Sequence, residues 1–313
     1  MPLCAAIDIG SNTIRLLIAQ VSHGDIADVL TDRKITQLGN LVSQTGRLQD
    51  SNMEASLAVL ERYASIISEH EVRHVTAVGT SALREASNSG DFIQKVFSKT
   101  GIHVKVISGN EEARLTVKGI LSSLHRSSFI TDRLSLILDI GGGSTEWIIC
   151  RGTNILDMGS IPVGVIKLRG DCIRADPVSA DDLSRLTLKI IPVISQLKQN
   201  KGSQIQPDTI FIGSSGTFTT IATVDLQLNV YARDKVHLHS ISFEKLQDIR
   251  EKLSSMTLAE RLKVTGLEPE RADLIIPGLL FTINVMECFQ FGKLTVSDYG
   301  LLEGVITASL DRQ

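Results

Sequence analysis

Two stretches 131 residues apart carry the same pattern, and they limit the possible folds more than any other feature of the chain. Leu3 to Val21 reads as an apolar strand ending in Asp8-Ile9, a tight turn at Gly10-Ser11-Asn12, and a second strand through Ile14, Leu16, Leu17 and Ile18. Leu134 to Cys150 repeats it, with Leu-Ser-Leu-Ile-Leu, the turn Asp139-Ile140-Gly141-Gly142-Gly143-Ser144, then Glu-Trp-Ile-Ile-Cys. A repeat this long predicts a duplicated domain, because solenoid units are much shorter. The 313 residues also exceed the length at which one hydrophobic core usually stops growing. We therefore expect one domain over 1–124, with the helix at about 301–313 packing back on it, and a second over 125–300. The polar stretch Ser122 to Arg133 is the expected hinge, and a cleft between the domains is the default ligand site.

Each half continues with more strand and then alternates helix and strand. Met53, Leu57, Leu60, Ile66 and Ile67 follow helical spacing, while Val72 to Val78 and Val104 to Ile107 are strand-like. In the second half Leu183 to Leu197 reads as helix, Thr209 to Ile212 as strand and Asp273 to Cys288 as amphipathic helix. The class is α/β, with helices packed on mixed sheets.

A phosphate can sit on a strand-turn-strand hairpin because glycine lets backbone N–H groups approach an anion that a side chain would obstruct. One such turn is weak evidence, since tight turns favour these residues for structural reasons; two matching turns are stronger. A third glycine element, Gly213-Ser214-Ser215-Gly216-Thr217, follows a strand and precedes a helix expected from Phe218. There the unpaired N–H groups of a helix N-terminus would face an anion. It is neither a Walker loop nor a dinucleotide fingerprint. At Ser108-Gly-Asn-Glu111-Glu112 the local pattern is that of a capping box, with acids in a first helical turn.

The net charge of −3 and pI near 6.2 argue against coating nucleic acid by bulk charge, so any positive field must be local. Cys4, Cys150, Cys172 and Cys288 lack zinc-site spacing and read as reduced, mostly buried thiols. Asp8 and Arg15 interrupt the apolar N-terminal stretch, and no segment is long and apolar enough to span a bilayer. A cytoplasmic protein is expected, with no membrane and no nucleic-acid partner. His237 and His239 form an HxH with no third ligand evident, and read as surface residues.

Together these elements make the chain resemble the exopolyphosphatase and guanosine pentaphosphate phosphohydrolase (Ppx/GppA) family, within the actin-like phosphotransferase superfamily. The matching motifs are Asp8-Ile-Gly-Ser-Asn12, Gly79-Thr-Ser-Ala-Leu-Arg-Glu-Ala86, Ile107-Ser-Gly-Asn-Glu-Glu-Ala-Arg114, Asp139-Ile-Gly-Gly-Gly-Ser-Thr-Glu146, Gly213-Ser-Ser-Gly-Thr217, Glu268-Pro-Glu-Arg-Ala-Asp273 and Val296-Ser-Asp-Tyr-Gly-Leu-Leu-Glu-Gly304. The resemblance implies two actin-like (ribonuclease H-like) domains with mixed sheets, flanking helices and an interdomain cleft.

It further implies that Glu112 is the catalytic base, activating a water that attacks the terminal phosphorus in line. Glu111 keeps the capping role. Asp139 and Glu146 correspond to the family's Mg²⁺ carboxylates, with Asp8 assisting on the facing turn. Gly10, Ser11, Asn12, Gly141, Gly142, Gly143, Ser144 and Thr145 would cradle the transferred phosphoryl group. Arg84 is expected to contact phosphate, or else to be a solvated helix arginine. Gly213, Ser215, Gly216 and Thr217 offer room for a nucleoside or for more phosphates. Lys167, where relatives often carry arginine, and Arg271 are further substrate contacts.

Two departures stand out. Leu302 replaces the arginine of the family's Gly-Leu-Arg-Glu-Gly, and the extra C-terminal helical domain of longer relatives is not expected after Gln313. The expected activity is hydrolysis of a terminal phosphoanhydride. Inorganic polyphosphate comes first as substrate and guanosine pentaphosphate (pppGpp) second, with guanosine tetraphosphate as a possible ligand and a homodimer as the expected assembly. An actin-like kinase is the rival enzyme, and an alarmone-binding regulator the rival without turnover.

Overall fold

The computed structural model describes residues 3–22, 25–124 and 133–310. In chain order the first half contains β1 (Leu3–Ile9), β2 (Thr13–Ser22), β3 (Asp25–Ile35), α1 (Val42–Thr45), α2 (Asp50–Glu69), β4 (His74–Gly79), α3 (Ser81–Glu85), α4 (Ser89–Thr100), β5 (Val104–Val106) and α5 (Gly109–Leu124). There follow β6 (Leu134–Ile140), β7 (Thr145–Arg151), β8 (Asn154–Ile161), α6 (Val165–Cys172), α7 (Ala180–Lys201), β9 (Ile210–Ser214), α8 (Gly216–Asp225), α9 (Arg233–Val236), β10 (Ser240–Ser242), α10 (Phe243–Ser254), α11 (Leu258–Arg261), α12 (Ile275–Phe289), β11 (Lys293–Ser297) and α13 (Leu301–Leu310).

The described residues within Met1–Phe129, Gly142–Ser144 and Tyr299–Gln313 form one compact unit, and those within Ile130–Gly141 and Thr145–Asp298 form another. Each holds a mixed sheet. The first has the order β3-β2-β1-β4-β5, and the second β10-β11-β9-β6-β7-β8. In both, a three-stranded antiparallel meander begins at the repeat's first strand, which also pairs in parallel on its other side. The register of the meander shifts between Ile18 and Ala19 in the first unit and between Ile149 and Cys150 in the second. Those two positions are again 131 residues apart, so the duplication reaches down to a strand irregularity.

β1 and β6 are buried along nearly their whole length, as strands covered on both faces must be. In the first unit Ala5, Ile7 and Ile9 face the apolar cluster that holds Leu60, Tyr63 and Phe92. Cys4, Ala6 and Leu17 face a separate cluster with Leu115, Leu301, Leu302, Val305 and Ile306. Leu302 is therefore core. The backbones of α5 and α13 touch: a Cβ on Gly119 would overlap the Gly300 carbonyl, and one on Gly304 the Leu115 carbonyl. That contact fixes α5, which carries Glu112. In the second unit α12 is buried for most of its length in a cluster centred on Phe211, Phe218 and Phe281.

Most expected elements appear within a few residues of their bounds. The third meander strands β3 and β8, and the strands β10 and β11, had no assignment of their own from the sequence. α5 continues to Leu124, so the first three residues of the expected hinge are helical; 125–132 lie outside the described residues, as do 311–313 of the expected last helix. Cys4, Cys150 and Cys172 are buried and Cys288 is half-buried, all as thiols; burial pushes the Cys150 thiol up to about 11. Among the described residues no helix is long and apolar enough to cross a membrane.

Candidate active site

At the first glycine turn the Gly10 N–H donates to the Thr13 carbonyl at 3.0 Å, and a Cβ on Gly10 would lie 2.9 Å from that same oxygen, so the turn closes only around glycine. The Ser11 carbonyl accepts from the Gly39 N–H at 2.8 Å, and the Asn12 carbonyl from Thr36 and Gln37 at 3.0 Å each. Those bonds turn the carbonyls away into protein. The N–H groups of Ser11 and Asn12 make no backbone hydrogen bond among the described residues. Three buried polar atoms in the same turn, Asp8 Oδ1 and both ends of the Asn12 amide, have no hydrogen-bond partner. Buried polar atoms are rarely left so, which marks the turn as a candidate place for a polar ligand.

Asp8 is otherwise engaged. Its Oδ2 accepts from Arg15 Nε at 2.9 Å and from Nη2 at 2.6 Å, across the β1-β2 hairpin where the two residues are directly opposite. Sequence reasoning missed Arg15 as a site residue. The available signal was its spacing, seven residues after Asp8, which matches that of Glu146 after Asp139.

Glu112 lies in the first turns of α5 and is 9 % exposed. The capping expected there belongs to Ser108, whose hydroxyl accepts the Glu111 N–H at 3.1 Å; the Glu111 carboxylate pairs with Lys105 at 2.6 Å. Glu112 receives Arg84 Nη1 at 2.6 Å. The same nitrogen donates to the Ile107 carbonyl at 3.0 Å, and Nη2 reaches Ser144 Oγ at 3.3 Å. Arg84 is thus a largely buried clamp and not a solvated helix arginine. Within this unit, which includes Gly142–Ser144, a Cβ on Gly143 would collide with the hydroxyls of Ser81 and Ser11.

In the second unit Asp139 and Glu146 are directly opposite on β6 and β7, and both are buried. Ser160, opposite Glu146 on β8, donates to Glu146 Oε1 at 2.6 Å. On the other side Asp139 is in register with Ser214 of β9, and Ser214 with Ser297 of β11. Two carboxylates and three hydroxyls therefore form one row across five strands. This all-oxygen donor set, with two acids side by side, suits a hard divalent cation. Among the described residues no three His, Cys, Asp or Glu side chains gather as a ready-made metal cage.

Beside that row, the Ile140 carbonyl accepts Ser215 Oγ at 3.0 Å and Thr217 Oγ1 at 2.8 Å, and the Gly141 carbonyl accepts the Val165 N–H at 3.0 Å. The first turn of α6 thereby abuts Gly141, and Lys167, two residues on, donates from Nζ to the Pro162 carbonyl at 3.3 Å. Thr145 Oγ1 is spent on the Val163 carbonyl at 2.6 Å. Ser215 has φ +86° and ψ 172°, a region nearly reserved for glycine, immediately before α8 begins at Gly216. Helix α8 starts two residues earlier than expected, which places Gly216 and Thr217 in its first turn. The Arg271 guanidinium, held by Glu268 at 3.0 Å, lies directly against Gly216, where a Cβ would overlap it. Gly213 has a packing reason: its missing side chain makes room for the Phe218 ring. His237 and His239 are half-buried, not surface residues. His239 Nε2 contacts Asp225 Oδ2 at 2.7 Å, and His237 Nδ1 accepts the Asp298 N–H at 3.4 Å.

Paired meanders with glycine turns, a buried carboxylate at a helix start and an acidic row give an actin-like α/β fold with a candidate phosphate site. The chain belongs to the Ppx/GppA phosphatase family, whose model matches residues 17–313, and it is a phosphoanhydride hydrolase. It is 27 % identical to exopolyphosphatase 2 of Mycobacterium tuberculosis, over 96 % of both chains. It is 28 % identical to a bifunctional 3-dehydroquinate synthase/phosphatase of Fusobacterium nucleatum over 99 % of its own length, but spans only 47 % of that relative. Among solved structures, an exopolyphosphatase from Cytophaga hutchinsonii superposes with a TM-score of 0.91 at 30 % identity, covering 99 % of this chain and 98 % of the other. The Aquifex aeolicus family member gives 0.80 at 30 % identity, with the same coverage.

Proposed function

We propose that the chain is an exopolyphosphatase that releases orthophosphate from the end of inorganic polyphosphate. The observation that carries this reading is the Arg84 clamp, which ties Glu112 to Ser144 at the tip of the second glycine turn. Base and anion-facing amides then stand in one cluster, as in-line attack by water requires. The N–H groups of Ser11 and Asn12 and of Gly142 to Ser144 hold the terminal phosphoryl oxygens, whereas the Gly10 N–H is held by the Thr13 carbonyl within the turn. Glu112 orients the water and takes its proton as the O–P bond forms, and the shortened chain leaves with the electrons of the broken P–O bond. Asp139 and Glu146 would hold Mg²⁺, which supplies charge neutralisation to the phosphates when bound; two carboxylates suffice, because this ion keeps waters and substrate oxygens as its other ligands.

A second reading, hydrolysis of the 5'-terminal phosphate of pppGpp, is favoured by Arg271 against Gly216 at the start of α8, a second anion-attracting place separate from the first turn. Relatives in Vibrio cholerae that carry the name guanosine-5'-triphosphate,3'-diphosphate pyrophosphatase are 26 % identical to the chain, which covers 59 % of their length. The two readings separate in a side-by-side assay of orthophosphate release from long polyphosphate, tripolyphosphate and pppGpp with Mg²⁺. Faster release from polyphosphate supports the first reading. Release from pppGpp alone transfers the assignment to the second, and release from none of them removes both.

A further inference from the structure

We propose that Arg15 is a positioning residue of the phosphate site, which acts by neutralising and fixing Asp8 so that the first glycine turn can accept an anion. The inference rests on the phosphate-binding reading above and goes one residue beyond it.

Asp8 is 4 % exposed and sits two residues before Gly10, at the base of the turn whose Ser11 and Asn12 N–H groups have no backbone partner. A bare carboxylate there would oppose any phosphate bound to those amides, since like charges at short range in a partly dry site repel strongly. Arg15 removes that opposition from the facing strand with two hydrogen bonds, both to Oδ2. The grip is one-sided. Asp8 Oδ1 is left buried and without a partner, aligned by the pair but not consumed by it, so it can accept a hydrogen bond from a bound water or a protonated phosphate oxygen. The surrounding register adds one cation beside the pair: Arg15 is opposite Arg33 on β3, whereas Lys105, in line with Asp8 beyond Val78, is paired with Glu111. That row holds three cations and one acid, against two acids and no cation in the matching row of the second unit.

The test is a double-mutant cycle read by binding, so that it does not depend on turnover. Tripolyphosphate is titrated calorimetrically, at fixed Mg²⁺, into protein carrying Glu112→Gln, and into the same protein with Arg15→Gln, Asp8→Asn, both changes, or Arg15→Lys. Arg15→Gln is expected to weaken binding about tenfold or more, because it strands a buried carboxylate. Adding Asp8→Asn should recover most of that loss, and Arg15→Lys should retain most of the affinity. Unaltered affinity in Arg15→Gln, or a double variant that binds no better than Arg15→Gln alone, overturns the proposal. Thermal melting of each variant separates this from simple unfolding, since a purely structural ion pair would lower the melting temperature without an affinity that recovers on neutralising Asp8. If the Glu112→Gln parent binds no tripolyphosphate, it is the phosphate-site reading that fails, and the two failures are distinct.

Discussion

The two glycine hairpins share a scaffold and differ in charge. In each an aspartate ends the buried first strand, the partner seven residues later is directly opposite it, and the register shift falls at the same offset. The partner of Asp8 is Arg15, whereas the partner of Asp139 is Glu146. Duplication supplied the geometry twice, and under the proposed reading one residue type at one position makes the first copy tolerant of anions and the second receptive to a cation. A phosphoanhydride needs both, because its oxygens must be held and their charge offset while a weak nucleophile approaches. In the proposed mechanism neither hairpin supplies the base.

The sharpest way to test that last point is Glu112→Gln, which keeps size and hydrogen-bonding capacity while removing the proton acceptor. Orthophosphate release should fall by about 10²- to 10⁴-fold, the usual contribution of general acid–base catalysis. Retained turnover would return the base to one of the hairpins. Next in size is Glu146→Arg, which gives the second hairpin the charge pattern of the first. Loss of Mg²⁺ binding by calorimetry and at least a ~100-fold drop in turnover are expected, from unpairing the acidic row and displacing the ion. If Mg²⁺ binding survives, the electrostatic contrast between the copies has no functional content.

A smaller effect is expected from the contact between α5 and α13, away from both glycine turns. Gly304→Ala drives a methyl group into the Leu115 carbonyl and separates α13 from α5. Overpacking of this kind costs about 1–3 kcal/mol, readable as a lower midpoint in urea. Because α5 carries Glu112, kcat should fall in the remaining folded protein while affinity for tripolyphosphate holds.

The repeat, the strand-turn-strand elements and the α/β class were legible because burial and turn geometry write directly into local pattern. Glu112 was not: its neighbours Ser108 and Glu111 spell a helix cap, and Ser108 does cap the helix. Only the family resemblance singled it out. Arg15 escaped because the repeat was read through its aspartates and glycines, and at the matching position seven residues after the aspartate the residue type changes from Arg15 to Glu146. The packing of the Phe218 ring against Gly213 was not legible either, since it depends on where the ring turns in three dimensions. The edge strands β8 and β10 are short or exposed and carry little periodic signal. Leu302 read as a lost arginine, whereas its burial beside Leu115 and Val305 gives it an apolar role that a sequence comparison cannot supply.

The smallest expected effect concerns acid, and it sharpens the contrast by assigning acid sensitivity to the second unit. Burial, and then the charge of Arg233, push His237 down to about 4 from an ordinary 6.5. Its Nδ1 accepts the Asp298 N–H, which favours the neutral ring. The native state therefore binds fewer protons than the unfolded chain between about 4 and 6.5, so this residue's stabilisation is fully present above 6.5 and is lost as pH falls toward 4. Melting temperature should decline across that window, and hydrogen exchange should show peptides around β10 and β11 opening first. His237→Asn keeps an acceptor for the Asp298 N–H and has no titration there, so its melting temperature should vary less between pH 6.5 and 4. If the variant keeps the full slope, other groups carry the acid response, and the second unit owes none of it to His237.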